Sequence, residues 1–330
     1  MILVTSPIDP IIYEELGKRW EIIDAPDDDP ETLIGLVSNA VCLISRGLAP
    51  IDGRIMDAGD ELLVLSRTGA GYENIDIDAA TERGLPVVYA PLLAEAVAEA
   101  AMAMILALTK QLFYWHHALV DGHWDRRISE RTDELYQKTL GIVGLGRIGR
   151  EVATRARAFD MEIIAHDPYL SSSAAAELNL ELVDLDQLLE RSDVVTLHAV
   201  STAETQGLIN AANLPRMKPG AYLINFARGA LIQNLDILHE ALEGQRLAGV
   251  GLDVFPEEPP TNLNHPLFKH PNFIGSPHVL ASTAGAEARC ARSVCRDLTA
   301  ALAGDRPQWC VNPEVYDAPQ LRLPKENHVG

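Results

Sequence analysis

Residues Lys138–Asp167, KTLGIVGLGRIGREVATRARAFDMEIIAHD, constrain the fold of this chain more than any other stretch. Leu140–Val143 is a short apolar run of the kind that fills a buried strand. Gly144, Gly146 and Gly149 follow at G-x-G-x-x-G spacing, and Val152, Ala153, Ala156 and Phe159 recur at helical period. Met161–Ala165 is a second apolar run, and Asp167 closes it. Strand, glycine turn, helix and strand in this order predict a βαβ unit. The first glycine permits a tight turn, the second leaves room for a pyrophosphate, and the third lets helix and strand pack closely. The helix begins within the motif, around Arg147 and Ile148, and its free N–H groups and partial positive charge suit phosphates. Asp167, 21 residues after Gly146, is placed to accept hydrogen bonds from ribose hydroxyls. Pro168, Tyr169, Leu170 and Ser171 include no cation for a 2′-phosphate, so the pattern favours NAD over NADP.

The first hundred residues alternate strand-like runs (Ile2–Thr5, Glu21–Ile23, Ala40–Ser45, Leu62–Ser66, Pro86–Tyr89) with helical stretches (Pro10–Lys18, Pro30–Ser38, Asp52–Ala58, Asp76–Arg83). Such alternation predicts a small doubly wound, flavodoxin-like sheet. Ala94–Gln111 reads as one long helix crossing to a second domain, and Ser282–Gly304 as a helix returning from it. The expectation is therefore an α/β protein: residues 101–284 form a Rossmann dinucleotide-binding domain, and 1–100 with 285–330 form a smaller substrate domain. After the glycine motif, strands are expected at Val194–His198, Ala221–Phe226, Ala248–Val254 and Asn272–Ile274, and helices at Leu185–Arg191 and Asn234–Glu243. The cluster Phe113, Tyr114, Trp115, His116, His117, His123 and Trp124 suggests interface packing, hence a homodimer.

The chain has 330 residues, 47% of them hydrophobic, and a net charge of −20. That charge repels nucleic acid and anionic membranes, and no basic stripe offsets it. Cys42, Cys290, Cys295 and Cys310 show no C-x-x-C spacing and read as free thiols in a reducing cytoplasm. MILVTSPIDP lacks the basic and apolar regions of a signal peptide, and Ala100–Leu108 is too short to span a bilayer. His116 and His117 cannot point the same way on a helix, and Pro266 with an apolar pair separates His265 from His270; no metal site is expected.

Asp167, His198, Arg228, Asp253 and His278 each sit at or just past the carboxyl end of an expected strand. In an open parallel sheet those ends share one edge, where ligands bind. A histidine there suits proton transfer accompanying hydride transfer, and a carboxylate such as Glu258 would raise its pKa. An arginine grips a carboxylate through paired hydrogen bonds, and Arg228 is the candidate. Each residue has a plainer reading as well: a turn histidine, a capping or surface arginine, a solvated acidic loop at Glu257–Glu258, a strand-end packing role for His198.

Taken together, GLGRIG, HDPY, INFARG, GLDVFPEEP and SPH, with SRTGAGYENID at Ser66–Asp76 and VNPEV near the C-terminus, resemble the D-isomer-specific 2-hydroxyacid dehydrogenases. The resemblance covers nearly the whole chain. It implies that Arg228 orients the substrate carboxylate and keto group, that His278 is the general acid and base, and that Glu258 pairs with it. It implies that Asp253 holds the nicotinamide carboxamide, with His198 and Ala227 beside the cofactor. Backbone amides at Ala70 and Gly71 would receive the substrate carboxylate from the other domain, and the two domains would close over it. Arg46 and Arg67 match arginines of phosphoglycerate dehydrogenases and fit a second anionic group on the substrate, or surface salt bridges. The implied activity is NAD-dependent interconversion of a D-2-hydroxyacid and its 2-ketoacid, with 3-phosphoglycerate, sulfolactate and hydroxypyruvate or glyoxylate as candidates. The alternative is an NAD-sensing corepressor on the same fold, for which the tail RLPKENHVG offers little. The sequence departs from the family pattern at Tyr89–Glu99, which lacks N-T-P and is one residue short, and at Val200, where L-H-x-P has proline.

Overall fold

Four aspartates set the rhythm of the N-terminal part. Asp9, Asp29, Asp52 and Asp76 each accept a backbone N–H at a helix start, and Pro10 and Pro30 occupy the first helical position. In this computed structural model, which describes residues 1–47 and 49–322, the resulting order is β1 (Ile2–Val4), α1 (Pro10–Leu16), β2 (Ile22–Asp24), α2 (Pro30–Leu36), β3 (Cys42–Ser45), α3 (Gly53–Ala58), β4 (Val64–Arg67), α4 (Ile77–Glu82) and β5 (Val87–Val88). The five strands form a parallel sheet in the order β2-β1-β3-β4-β5, the doubly wound flavodoxin-like arrangement. Burial on both faces explains the unbroken apolar runs. Ile2, Val4, Cys42, Ile44 and Val64 enter one core, whereas Leu3, Leu43 and Leu65 enter the other.

The chain then continues through α5 (Ala94–Thr109), α6 (Leu112–Val120), β6 (Thr139–Val143), α7 (Arg147–Arg157), β7 (Glu162–His166), α8 (Ser172–Glu177), β8 (Glu181–Leu182), α9 (Leu185–Arg191), β9 (Val194–Leu197), β10 (Ala221–Asn225), α10 (Leu235–Glu243), β11 (Leu247–Leu252) and β12 (Phe273–Gly275) before α11 (Ala284–Leu302). The seven strands pair in parallel in the order β12-β11-β10-β9-β6-β7-β8. Strand order reverses at β6, which is the dinucleotide-binding arrangement with one strand added at the far edge.

Two compact units result, Met1–Leu93 with Ser282 onward, and Ala94–Ala281. The first boundary falls ahead of the expected 100/101 because α5 packs on the second sheet and on α7, and the second falls ahead of 284/285 because all of α11 belongs to the first unit. Leu108 and Met104 lie against Gly249 and Gly251 of β11, where a Cβ would meet them at 3.1 and 2.5 Å. The expected single helix Ala94–Gln111 instead ends at Thr109. Gln111 takes a left-handed backbone (φ +48°), and α6 leaves at 52° to α5. The buried Thr109 hydroxyl bonds back to the Ile105 carbonyl at 2.9 Å, a contact that bends helix ends. Among the described residues no single helix is long and apolar enough to cross a membrane; α5 and α6 pass that test only as a bent pair, and most of α5 is buried.

α11 returns to the first unit and covers its sheet with Cys290, Ala291, Val294 and Leu298. Beyond it, the fully buried Asn312 accepts from Val87 N–H at 2.8 Å and donates to Thr81 Oγ1 and the Leu85 carbonyl at 2.8 and 3.0 Å. This side chain ties the end of the chain to β5. Asn312→Ala removes all three hydrogen bonds and is expected to cost about 2–4 kcal/mol, read as a lower urea midpoint for the first unit.

Candidate active site

The glycine turn follows β6. Gly144 has φ +90°, and a Cβ there would lie 2.5 Å from Ala199 N; a Cβ on Gly149 would lie 2.2 Å from the Gly144 carbonyl oxygen. These two glycines allow close chain packing. At Gly146 no atom lies within 4 Å of a Cβ position, so the surface in front of the α7 N-terminus is open. Arg147 and Ile148 form the first turn of that helix. Asp167 stands just past β7 and accepts from Leu145 N–H at 2.9 Å and Tyr169 N–H at 3.0 Å. Open space for phosphates, a helix N-terminus behind it and a carboxylate on the rim fit a dinucleotide.

On the other side of β6, His198 follows β9. Its Nε2 pairs with Thr196 Oγ1 at 2.8 Å, while Nδ1 is buried without a partner. Burial pushes its pKa down to about 3, so the ring is neutral. This residue carries no charge at physiological pH.

Arg228 owes its place to two neighbours. The buried Asn225 at the end of β10 accepts from Ala227 N–H and donates to the Arg228 carbonyl, both at 2.9 Å, folding Phe226–Arg228 into a tight turn. Gly229 then passes so near the next loop that a Cβ would sit 1.9 Å from the Phe255 carbonyl carbon. The arginine's Nη1 donates to the Ala227 carbonyl at 2.8 Å. Neither neighbour was singled out from sequence; Asn225 betrays itself only as a polar residue ending an apolar strand.

The loop after β11 supplies a second group. Glu258 accepts from Phe255 N–H at 2.9 Å through one carboxylate oxygen and binds His278 Nδ1 at 2.8 Å through the other. His278 lies past β12 with φ +52°, a left-handed conformation that histidine tolerates better than most residues. Asp253 holds this turn: its Oδ1, on a 3% exposed residue, accepts from Ser276 Oγ, Val279 N–H and Leu280 N–H at 2.6, 3.1 and 3.4 Å. The His278 side chain is 49% exposed, so a ligand can reach the ring. The hydrogen bond to Glu258 raises its pKa, burial opposes this, and the Glu258 charge reinforces it. Burial pushes Glu258 upward, but the bonds from His278 and Phe255 N–H, with the charges of His278 and Arg228, hold it below the usual range. Arg228, Glu258 and His278 thus act within one electrostatic neighbourhood.

The other anticipated residues lie in the first unit. Ala70 and Gly71 follow β4, and Arg67 donates to the Gly71 carbonyl through Nε at 2.8 Å and to the Ser45 carbonyl through Nη1 at 3.3 Å. Arg46 Nη1 donates to the Pro7 carbonyl at 2.6 Å. Both arginines therefore brace backbone. Among the described residues no group of three or more His, Cys, Asp or Glu side chains is arranged to hold a metal; His265 pairs with Asp236 at 3.0 Å, and His270 accepts from Asn272 N–H at 3.1 Å. A cavity of about 280 Å³ beside Gln111, Phe113 and Phe273 is lined by none of the anticipated catalytic, cofactor or substrate residues.

Comparison with known proteins follows the same lines. The family profile described as "D-isomer specific 2-hydroxyacid dehydrogenase, NAD binding domain" matches residues 102–279. A D-3-phosphoglycerate dehydrogenase of Mycobacterium bovis is 38% identical over 315 residues, covering 94% of this chain and 58% of its own length. The chain therefore spans a little over half of that relative. A glyoxylate reductase of Thermofilum pendens is 41% identical over 290 residues, covering 86% of this chain and 84% of its own. Among solved structures, D-lactate dehydrogenase from Aquifex aeolicus, complexed with NAD and lactic acid, superposes with a TM-score of 0.83 at 28% identity, covering 92% of this chain and 96% of that one.

Glu258→Gln removes the charge that holds the His278 proton while keeping an acceptor. The imidazole titration, followed by NMR, is expected to move to lower pH; an unchanged or higher midpoint contradicts the pairing.

Proposed function

The chain belongs to the D-isomer specific 2-hydroxyacid dehydrogenase family, and from that membership we propose that it is an NAD-dependent oxidoreductase interconverting a small 2-hydroxyacid and its 2-ketoacid. The observation that carries the reading is the 2.8 Å Glu258–His278 pair with the Arg228 charge acting on both members. NADH, when bound, supplies the hydride. Glu258 engages Nδ1, so Nε2 is the nitrogen that meets substrate. In reduction, protonated His278 gives its proton to the developing alkoxide; in oxidation the neutral ring takes it back. Arg228 grips the substrate carboxylate and polarises the keto oxygen. Gly144, Gly146, Arg147, Ile148, Gly149 and Asp167 bind the nucleotide, and His198, Ala227 and Asp253 border the nicotinamide end. Asp253 does so while fixing the His278 turn.

In the first unit, the amides of Ala70 and Gly71 are proposed for the substrate carboxylate, and Arg46 and Arg67 for a second anionic group. The relatives' names make phosphoglycerate- and glyoxylate-class acids the first candidates. The compartment proposed is the cytoplasm, whose reducing conditions suit the free, buried thiols of Cys42, Cys290 and Cys295. The assembly proposed is a homodimer. Leu112, Phe113, Leu119 and Val120 of α6, with Trp124 and Ile128 after it, are exposed large apolar side chains, a clustering typical of interaction surfaces.

A panel of glyoxylate, hydroxypyruvate, phosphohydroxypyruvate and sulfopyruvate, followed by NADH absorbance, tests the class; no turnover with any of them or with bulkier ketoacids defeats it. His278→Ala is expected to lower kcat by about 10²–10⁴ while NADH still binds. Ketoacid reduction should fall as pH rises through the raised His278 pKa, because the protonated ring is the reactant. Arg67→Ala should narrow selectivity between hydroxypyruvate and its phosphorylated form, and unchanged selectivity removes that role. Leu119→Glu with Val120→Asp should shift a dimer to monomer in light scattering.

A further inference from the structure

Asp167 is not the only carboxylate beside the glycine turn. The Tyr169 hydroxyl donates to Glu204 Oε2 at 2.6 Å. Tyr169 lies three residues beyond the end of β7, and Glu204 lies beyond β9. In the sheet these strands flank β6 on opposite sides, and all three run parallel. The bond therefore joins two loops across the turn that leaves β6. Both loops also rest on that turn directly: Leu145 N–H donates to Asp167 at 2.9 Å, and Ala199 N lies 2.5 Å from where a Gly144 Cβ would stand. This is the crevice where strand order reverses and a dinucleotide lies. Tyr169 is 80% exposed, so burial does not hold this contact in place; the hydrogen bond joins two rim loops open to ligand.

We propose that Glu204, latched by Tyr169, is a second anionic determinant of cofactor choice that acts with Asp167 against a 2′-phosphate. Asp167 sits where the adenosine ribose hydroxyls are received, and a phosphate added to one of them brings nearly two further negative charges. It would enter a rim carrying two carboxylates. The Tyr169 phenol lies in the field of both: its pKa is raised first by the hydrogen bond to Glu204, then by the Glu204 charge, then by burial and last by the Asp167 charge. Neither Asp167–Ser173 nor Ala199–Gln206 contains a lysine or arginine to offset them. The inference rests on the proposed NAD-dependent reading, and it adds Glu204 and Tyr169 to the residues that tune it.

Calorimetric titration of the whole chain with NADH and with NADPH tests the idea without turnover. Glu204→Gln is expected to lower the ratio of the NADPH to the NADH dissociation constant roughly three- to tenfold, the size of one screened charge at this range, and the effect should shrink in high salt. Tyr169→Phe, which releases the carboxylate without removing it, should lower the ratio less, and Glu204→Asp should preserve it. If the wild-type chain binds NADH and Glu204→Gln leaves the ratio within twofold, Glu204 has no such role. A wild-type chain that binds neither cofactor defeats the NAD-dependent reading itself, and this inference with it.

Discussion

Parallel strand direction is the constraint on which the second unit depends. All seven strands point the same way, so every loop leaving a carboxyl end emerges on one edge. Asp167, His198, Arg228, Asp253 and His278 are far apart in sequence, and this shared direction gathers them. No single interaction has to draw them together. Once the sheet forms, the remaining task is aim, and aim is local.

The aiming groups are small and buried. Asn225 curls the turn before Arg228, and Gly229 lets that turn lie against the Phe255–Pro256 backbone. Asp253 collects three donors from the segment that carries His278. A left-handed histidine costs backbone energy, and three hydrogen bonds to a buried carboxylate offset it. Glu258 is fixed by its own loop through Phe255 N–H before it meets the imidazole. Each reactive side chain therefore has a second group that limits where it can go, as preorganised sites require.

Much of this was legible in the sequence, for stated reasons. Period and glycine spacing mark β6, α7 and β7, because apolar strands and a helix-starting glycine turn leave a strong local signature. Arg228, Glu258 and His278 were legible only jointly, through motifs in a fixed order; alone, each had a plain alternative. What escaped was set by contacts distant in sequence. The break at Gln111 depends on a backbone φ that glutamine does not advertise, so the Phe113–His117 stretch did not read as a separate helix. α8 and β8 are too short to show a period. The bond from Tyr169 to Glu204 joins residues 35 apart, and no local pattern encodes it. Arg46 and Arg67 read equally as anion receptors or as surface salt bridges, and their hydrogen bonds to backbone carbonyls become visible only once β1, β3 and β4 are side by side.

The chain enters the second unit at Ala94 and leaves it at Ala281, so the first unit is written in two pieces. One core of its sheet is closed by Cys290, Ala291, Val294 and Leu298 of α11, which a ribosome delivers only after the entire second unit. Until then Ile2, Val4, Ile44 and Val64 have a bare flank. Vectorial synthesis thus imposes an order: the middle of the polypeptide can mature first, and the beginning must wait, half-clad and prone to stick, for the end.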